Sequence, residues 1–397
     1  MAIIVQKYGG SSVATVEKIK SIADTLIKRK EQGDKLVVVV SAMGDTTDDL
    51  ICLARKIALN PDKRELDALL STGEMISAAL LAMALKEKGV DAVSYTAYQI
   101  GLETTGNHGK SLIKDIDDRK IKEALNKDKI VIVAGFQGIN EEGNITTLGR
   151  GGSDTTAVAI AVKLNGVSEI YTDVDGIYSC DPRKYTKAKK LPQIDYEEIL
   201  ELASLGAQVM HSRSIELAQK YNIPIYVGLA NGEMNGTLIT EVVNMENKPI
   251  TGIATSDDDV AITLEALDAK INIISRLFGT IAERNISIDM ISQSAPVNDK
   301  VTVSFTIPKD DLNECMEILR KSIDARHIFI DTDITKLSMV GIGMKNTSGV
   351  AAKVFQIFAE EDIAVKMVTT SEIRITCAIH QKDKARAIKL IAEKFNL

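Results

Sequence analysis

Short apolar runs, each followed by an amphipathic stretch, recur through the N-terminal part of the chain. Continuous runs at Ala2–Lys7, Leu36–Val40 and Lys129–Gly135 predict buried strands. The stretch after the first run repeats apolar residues with helical spacing, at Val16, Ile19, Ala23, Leu26 and Ile27. Alternating strands and helices of this kind are typical of an α/β domain with a parallel or mixed sheet.

Loops rich in glycine and other small residues stand between the predicted strands and the helices that follow them. They lie at Gly9–Ser12, at Ser41–Thr47 and at Thr147–Thr156, where TLGRGGSDTT precedes a helix predicted at Thr156–Leu164. Glycine lets the backbone come close to a ligand, and the free N–H groups of a helix start favour an anion. One such loop can equally be a turn that only caps a helix. Three of them at the ends of buried strands would converge on one crevice, where open α/β sheets bind ligands.

The C-terminal part of the chain contains an internal repeat with a shift of 77 residues. Ile286–Ser292 aligns with Ile363–Thr369, and the same shift pairs Phe278 with Phe355. Each copy predicts the order strand, loop, helix, strand, strand, helix, so the tail holds two related α+β modules. The polar segment around Val243–Thr251 is interpreted as the linker that precedes them.

Composition narrows the class of protein. With 397 residues the chain exceeds one ordinary core, so two or three domains are expected. A net charge of −7 argues against a nucleic-acid surface. The four cysteines and four histidines are dispersed, which predicts reduced thiols and neither a disulfide framework nor a transition-metal site. They are Cys52, Cys180, Cys315 and Cys377, and His108, His211, His327 and His380.

The N-terminal sequence MAIIVQKYGG has no basic segment followed by an apolar run and a cleavage site. We find no apolar stretch that approaches the roughly 18 residues of a membrane span. A cytoplasmic protein without membrane or nucleic-acid partners is therefore expected.

Five long motifs follow one another along the chain. They are VQKYGGSS at Val5–Ser12, SAMGDTTD at Ser41–Asp48, STGE at Ser71–Glu74, TLGRGGSDTT at Thr147–Thr156 and YTDVDGIYSCDPR at Tyr171–Arg183. Together they resemble the aspartate kinases of the amino acid kinase family, and the repeat resembles the paired ACT domains that regulate such enzymes. The resemblance covers the whole chain.

The resemblance implies a fold and an activity. The fold is a three-layer α/β/α sandwich around an open, mostly parallel sheet at residues 1–245, followed by ferredoxin-like ACT domains at 250–330 and 334–397. The activity is transfer of the γ-phosphoryl group of ATP to the side-chain carboxylate of L-aspartate, the first step toward lysine, threonine and methionine. A carboxylate is already a nucleophile, so catalysis would consist of positioning and charge stabilisation.

By the same resemblance, Lys7 neutralises the charge that develops on the transferred group, and Asp154 holds this lysine and the metal in place. Physically, Lys7 can also be a surface lysine at a strand end. Asp154 can also be a first-turn carboxylate that the helix dipole favours.

Substrate recognition needs a cation for the α-carboxylate and an anion for the α-ammonium group. The resemblance assigns these roles to Arg150 and Glu74. Without it, Glu74 is a solvated residue near a helix start. The other implied substrate contacts are Ser41, Thr47, Gly151, Gly152 and Ser153, of which the first two can also be helix caps.

The fifth motif is the implied nucleotide site. Asp173 and Asp175 are hard oxygen donors suited to a hydrated Mg²⁺ ion, Tyr178 can contact the base, and Arg183 can reach the phosphates. No Walker A motif offers another phosphate site. Where some relatives carry a lysine before the GTL segment, this chain has Asn231. The implied ATP contacts are Lys7, Gly9, Gly10, Ser11, Thr172, Asp173, Tyr178, Ser179, Asp181, Arg183 and Lys184.

The ACT resemblance implies feedback inhibition by lysine, threonine or both, and a homodimer or homotetramer formed through these domains. Loops at Asp268–Asn272 and Lys345–Gly349 would bind the effector. Asn272 stands where many relatives have glycine, and the branched Ile271 narrows the first loop, so the two copies are expected to differ. The implied effector contacts are Asp268, Asn272, Ile288, Asp289, Gln293, Lys345, Ser348 and Gly349.

Two alternatives remain open. Glutamate 5-kinase and acetylglutamate kinase share the fold and the acyl-phosphate chemistry, and one methylene group changes recognition by only about 1–3 kcal/mol. The chain can also be a noncatalytic amino-acid-binding regulator. The STGE and DVDGIY motifs and the ACT pair favour aspartate, and the presence of Lys7, Asp154, Glu74 and Arg150 favours an enzyme.

Overall fold

The computed structural model describes residues 3–206, 210–230, 233–242, 248–269, 271–322 and 327–397, with the backbone alone at 271–273 and 322. The chain forms two compact units. The first comprises Met1–Ile177, Lys190–Ala203 and Gln208–Val243, and the second Tyr178–Lys189, Ser204–Ala207 and Asn244–Leu397.

The elements of the first unit alternate as the hydrophobic pattern predicts. Its strands are β1 (Ile3–Tyr8), β2 (Lys35–Val40), β3 (Ala92–Tyr95), β4 (Glu103–Thr105), β5 (Leu112–Asp115), β6 (Ile130–Ala134), β7 (Gln137–Ile139), β8 (Ile145–Thr147), β9 (Val167–Thr172), β10 (Gln193–Ile194), β11 (Ile225–Leu229) and β12 (Thr237–Ile239). Its helices are α1 (Val16–Glu31), α2 (Thr46–Ile57), α3 (Lys63–Leu70), α4 (Thr72–Glu87), α5 (Arg119–Asn126), α6 (Gly152–Leu164), α7 (Tyr196–Ser204) and α8 (Ser212–Tyr221).

An eight-stranded sheet forms the centre of this unit, in the order β10-β12-β11-β9-β1-β2-β6-β3. All neighbours are parallel except β11 and β12. Alternate residues of β2, namely Leu36, Val38 and Val40, pack in one core cluster with residues of α1 and α4. Helix α6 contacts β1, β2 and β9. The expected three-layer sandwich around an open, mostly parallel sheet is confirmed.

A smaller sheet in the same unit has the order β5-β4-β7-β8. Strand β8 pairs antiparallel with β7 and ends at Thr147, directly before the glycine-rich loop. This small sheet therefore carries the loop toward the start of α6.

The second unit contains the two predicted modules. Its strands are β13 (Gly252–Ser256), β14 (Asp259–Asp268), β15 (Ile291–Gln293), β16 (Lys300–Pro308), β17 (Ile328–Asp331), β18 (Ile334–Val340), β19 (Val365–Thr370) and β20 (Arg374–His380). Its helices are α9 (Ile271–Glu283), α10 (Leu312–Ser322), α11 (Val350–Glu360) and α12 (Lys384–Phe395).

The two modules have equivalent antiparallel sheets, β15-β16-β14-β17 and β19-β20-β18-β13. The chain supplies the fourth strand differently in each. In the first module β17 follows the repeat, whereas in the second β13 precedes the whole first module and pairs with β18. Gly252–Ser256, which the expected boundaries of 250–330 place in the first module, thus belongs to the sheet of the second.

Two details of the repeat differ from the sequence analysis. Ile271 and Asn272 lie in the first turn of α9 and not in a loop, and Lys270 is outside the described residues. Strand β15 covers only Ile291–Gln293, although its counterpart β19 has six residues. The alignment of Ile286–Ser292 with Ile363–Thr369 thus joins two segments that differ in the length of their strands.

Side chains from both modules meet between the two sheets. Ala261, Met290, Ile334, Met367 and Ala378 form one buried cluster, in which the two methionines occupy equivalent positions of the repeat. The modules therefore share part of their core.

Candidate active site

Adjacent parallel strands of the large sheet bring the predicted loops to one edge. The N–H of Ser41, after β2, donates to the carbonyl of Tyr8 at the end of β1 over 3.1 Å. The N–H of Gly44 donates to the carbonyl of Gly10, also over 3.1 Å. A Cβ on Gly10 would lie 2.9 Å from the carbonyl oxygen of Ala42, so only glycine fits between these two loops. Two of the three predicted loops therefore meet at this edge.

Lys7 and Asp154 form an ion pair at this edge. The Nζ atom of Lys7, on β1, lies 2.7 Å from Oδ1 of Asp154 in the first turn of α6, and each side chain is 12% exposed. A Cβ on Gly9 would approach the same Nζ to 3.4 Å. The structure thus brings together the two predicted catalytic residues and leaves a small part of each open to solvent.

Glu74 is buried, although the residue pattern alone allowed a solvated position. It is 3% exposed, and its Oε1 accepts a hydrogen bond of 3.1 Å from the N–H of Ala42. Its Oε2 is buried and has no hydrogen-bond partner among the residues that the structure describes. Burial raises the pKa of this carboxyl to about 7. A buried, half-satisfied carboxylate beside a ligand crevice is a candidate for binding a cationic group.

The glycine-rich loop owes its composition to protein contacts. Gly149 and Gly151 have φ of +78° and +70°, which side-chain-bearing residues rarely adopt. A Cβ on Gly149 would lie 2.9 Å from the carbonyl oxygen of Gly109, and one on Gly151 would lie 2.3 Å from Cβ of His211. The space beside Gly149 and Gly151, which the loop motif predicted for a ligand, is filled by other parts of the protein.

The same loop starts helix α6 earlier than predicted. The helix begins at Gly152 and not at Thr156, with Gly151 at the N-cap. A Cβ on Gly152 would lie 2.8 Å from the ring of Phe136. Ser153 is 8% exposed, and its Oγ would lie 2.7 Å from a Cβ on Gly135. Ser153 and Asp154 therefore both lie in the first helical turn, where N–H groups favour anions.

Arg150 differs from its neighbours because it is exposed. Among the described residues its guanidinium group has neither a hydrogen-bond nor an ion-pair partner. Ser41 and Thr47, two further predicted substrate residues, are partly buried. The site therefore combines a free cation at Arg150 with a partly unsatisfied anion at Glu74.

The predicted nucleotide residues are divided between the two units. Thr172 ends β9 in the first unit, and Asp173 directly follows the strand. The Thr172 hydroxyl donates to Asp173 over 3.0 Å, and Asp173 is exposed. Asp175, the second predicted magnesium donor, instead forms an ion pair of 3.1 Å with Lys190. Lys190 is thus the ion-pair partner of Asp175.

Residues from Tyr178 to Lys184 belong to the second unit. Ser179 is buried, and its carbonyl accepts a hydrogen bond of 2.7 Å from Ile253. Asp181 and Arg183 pair with each other at 3.0 Å, and Lys184 donates to Thr255 over 2.6 Å. These residues thus have structural contacts within the second unit, and residue 231 lies outside the described residues.

The predicted effector residues also make contacts. Asp268 pairs with Lys300, and Asp289 accepts from Lys336 of the second module over 2.6 Å. Lys345 lies 3.7 Å from Glu372. Ile288 is partly buried, whereas Gln293, Ser348 and Gly349 are exposed. The side chain of Asn272 lies outside the described residues.

Two charged residues near the glycine-rich loop were not predicted from the sequence. Asp67 is 1% exposed and accepts hydrogen bonds from Thr147 and Gly109. Arg213 donates to the carbonyls of Leu148 and Ser111, and burial lowers its pKa. A signal for Asp67 was present in the sequence, because it shares the helical spacing of Ser71, Glu74 and Ala78 on one buried face.

Two further properties bear on function. In the part of the chain that the structure describes, no three His, Cys, Asp or Glu side chains group in a way that could hold a metal ion. The expectation that no apolar stretch approaches the length of a membrane span was wrong, because one helical stretch, Lys63–Glu87, is long and apolar enough to cross a membrane. Half of its most apolar part is buried, and Leu81 and Leu85 pack in the core, which is typical of a core helix.

Comparisons with known proteins agree with this geometry. A model of the amino acid kinase family matches residues 2–228, and an ACT domain model matches 262–323 and 337–395. An aspartokinase of Bacillus sp. strain MGA3 is 45% identical, over 100% of this chain and 98% of that protein. An aspartate kinase structure from Synechocystis is 37% identical, with a TM-score of 0.57, over 100% of this chain and 69% of the other.

More distant structures show the same fold. Two structures of E. coli aspartokinase III, one with aspartate and ADP and one with lysine and aspartate, are 24% identical to this chain. Their TM-scores are 0.79 and 0.81, and each comparison covers 99% of both chains.

Fold, site and comparisons together define an amino acid kinase domain followed by tandem ACT domains. The chain belongs to the amino acid kinase family and, within it, to the aspartokinases that carry paired ACT domains.

Proposed function

We propose that the protein transfers the γ-phosphoryl group of ATP to the side-chain carboxylate of L-aspartate, giving 4-phospho-L-aspartate and ADP. The observation that carries this proposal is the pair of unsatisfied charges at the crevice, the exposed Arg150 and the buried Oε2 of Glu74. An α-amino acid presents one carboxylate and one ammonium group to match them. The aspartokinase relatives support aspartate as that amino acid.

In this proposal, Lys7 and Asp154 act at the reacting phosphoryl group. The side-chain carboxylate of aspartate is ionised at neutral pH and attacks the γ-phosphorus, so a new O–P bond forms as the bond to the β-phosphate oxygen breaks. Lys7 stabilises the negative charge on the phosphoryl oxygens. Asp154 orients Lys7 across 2.7 Å and keeps it from turning toward solvent.

Residues of the nucleotide motif would bind ATP and Mg²⁺. Mg²⁺ is usually held by one or two carboxylates together with substrate phosphates, and the exposed Asp173 at the end of β9 fits such a donor set. Asp175 fits less well because Lys190 already pairs with it. The ion would neutralise phosphate charge.

Regulation by an amino acid is proposed for the tandem modules, with lysine, threonine or both as effector. Asp289 lies in the first module and can bind an ammonium group. Lys336 already donates to it over 2.6 Å, so a lysine side chain at this position would have to displace an internal lysine. We further propose a homodimer or homotetramer and a place at the start of lysine, threonine and methionine synthesis.

A hydroxamate assay for acyl phosphate tests the activity. The protein is incubated with ATP, Mg²⁺ and either aspartate or glutamate, and hydroxamate formation is compared with ADP release. We expect product with aspartate only. Product with glutamate only contradicts aspartate as the substrate. Amino-acid binding without ADP release supports a noncatalytic regulator.

The same assay tests recognition and regulation. Arg150→Ala should raise the KM for aspartate more than the KM for ATP, and Arg119→Ala, at an exposed arginine of α5, is the matched control.

To test regulation, initial rates are measured with saturating lysine and threonine, alone and together. Unchanged rates in all three conditions contradict feedback inhibition.

A further inference from the structure

The glycine-rich loop lies against a second loop of the small sheet. The N–H of Ser111 donates to the carbonyl of Thr147 over 3.0 Å, and Gly149 approaches the carbonyl of Gly109 so closely that a Cβ would lie 2.9 Å away. Segment 107–111 therefore runs along segment 147–149. Arg150 is the next residue of the chain.

Asp67, on α3, joins these two segments from one side. Its Oδ1 accepts a hydrogen bond of 2.6 Å from the hydroxyl of Thr147, and its Oδ2 accepts one of 3.0 Å from the N–H of Gly109. Nδ1 of His108 lies 2.7 Å from the same Oδ2, within hydrogen-bond distance. A carboxyl group that is 1% exposed thus has three hydrogen-bond partners in the two segments.

Arg213, on α8, joins the same two segments through different atoms. Its Nη1 donates to the carbonyl of Leu148 and its Nη2 to the carbonyl of Ser111, both over 2.9 Å. The planar guanidinium group makes both bonds at a fixed spacing, which a lysine cannot reproduce. Asp67 and Arg213 lie far apart in the sequence and converge on one pair of loops.

We propose that Asp67 and Arg213 are positioning residues that hold segment 147–149 against segment 107–111 and so place Arg150 for the substrate's α-carboxylate. This inference rests on the proposed function, because Arg150 is the group through which both residues act. A misplacement of about 1 Å at a binding group can cost about 100-fold in rate. The hydrogen bonds of Asp67 and Arg213 therefore contribute to specificity for the amino acid.

Substitutions at Thr147 test the role of Asp67 with little change of volume. Thr147→Val removes the hydroxyl donor, and Thr147→Ser keeps it. We expect Thr147→Val and Arg213→Lys to raise the KM for aspartate about tenfold and the KM for ATP by less than about twofold. Thr147→Ser should stay within about threefold of the unmodified protein. An unchanged KM for aspartate in both Thr147→Val and Arg213→Lys overturns the proposal.

A double-mutant cycle shows whether the effect passes through Arg150. In an Arg150→Ala background, Thr147→Val should no longer change the KM for aspartate, because the group that it misplaces is absent. Additive effects overturn the inference. The matched control is Asp195→Asn, at a carboxylate that is 8% exposed and accepts from the N–H groups of Glu197 and Val242. It should lower the Tm without changing either KM.

Amide hydrogen exchange separates this inference from the proposed function. Peptides that cover 107–111 and 147–152 should exchange faster in Thr147→Val and Arg213→Lys than in Thr147→Ser, whatever the substrate is. Equal exchange in all variants overturns the positioning role. If the unmodified protein forms no acyl phosphate from aspartate, the proposed function fails and the exchange result alone decides whether these residues hold the loops.

Discussion

Two groups of charged residues, one in each compact unit, differ in how they are paired. In the first unit, Arg150 has no partner among the described residues and one buried oxygen of Glu74 has no hydrogen bond. In the second unit, Lys336 is 9% exposed and lies between Asp259 at 2.9 Å and Asp289 at 2.6 Å. Asp257 there accepts hydrogen bonds from Thr335 and Lys384.

We interpret the unpaired groups of the first unit as candidate ligand contacts and the paired groups of the second unit as charges that stabilise the fold. Leaving a buried charge without a partner destabilises a protein, so such a group persists where function requires it. The Lys7–Asp154 pair lies between the two cases, because its two charges are paired with each other and yet each side chain is 12% exposed at the edge of the sheet. Matched substitutions in the two units can test the distinction.

The largest effect is expected at Lys7. Lys7→Met should lower kcat by about 10³-fold, since a cation aimed at the transferred phosphoryl group is lost. The free energy of unfolding should fall by only about 1–3 kcal/mol, because Asp154 keeps some solvent contact. Kinetics and circular dichroism of the same sample check both. Near-normal turnover in a folded variant would contradict the catalytic role.

The matched substitution in the second unit is Lys336→Met. It leaves the largely buried Asp259 without its cation, so the free energy of unfolding should fall by about 2–4 kcal/mol. The kinase rate without effectors should stay within about twofold. Thermal unfolding and initial rates measure these quantities, and Lys336→Met combined with Asp259→Asn should recover part of the loss. If Lys336→Met loses activity and keeps its Tm, Lys336 does not act by stabilising the fold.

A smaller effect is expected from the pH dependence of Glu74. Burial raises its pKa to about 7, above the ordinary value of 4.5. The folded protein thus binds this proton at pH values where the unfolded chain has lost it. The contribution of Glu74 to stability accordingly falls as the pH rises from about 4.5 to about 7 and is constant above.

Glu74→Gln should therefore be more stable than the unmodified protein at pH 8, by about 1–3 kcal/mol. In the unmodified protein the KM for aspartate should fall as the pH rises toward about 7, because the ammonium group needs the ionised carboxylate. In Glu74→Gln the KM should be high at every pH. Denaturant unfolding and aspartate titrations at several pH values measure this. If Glu74→Gln is less stable than the unmodified protein at pH 8, the Glu74 carboxylate is not an unpaired buried charge.

The smallest effect is expected at Asp257. Burial acts to raise its pKa, but hydrogen bonds from Lys384 and Thr335 outweigh this and hold the pKa below its usual range. Its contribution to stability is present above the unfolded pKa and is lost as the pH falls through the folded pKa. Asp257→Asn should cost about 1 kcal/mol at pH 7 and nothing in strong acid. Thermal melts of both proteins at the two pH values check this. A stability difference between Asp257→Asn and the unmodified protein that does not change with pH contradicts it.

Local patterns in the sequence predicted much of the architecture. Apolar runs located β1, β2 and β6 to within about two residues, since buried parallel strands need apolar residues on both faces. The 77-residue shift revealed two modules because both copies must fill similar cores. It could not show that Gly252–Ser256 completes the second sheet, since strand pairing across a whole module leaves no local signal.

For the candidate site, the sequence by itself determined which residue types stand at the strand ends, and the motifs identified the family. Only the tertiary structure decided which charges are satisfied. It buried Glu74, paired Asp175 with Lys190, and joined Asp67 and Arg213 to the glycine-rich loop. The physical reason is that hydrogen-bond satisfaction and desolvation depend on atoms far apart in the chain. A residue's own neighbours in sequence therefore do not reveal whether its charge is free to bind a ligand.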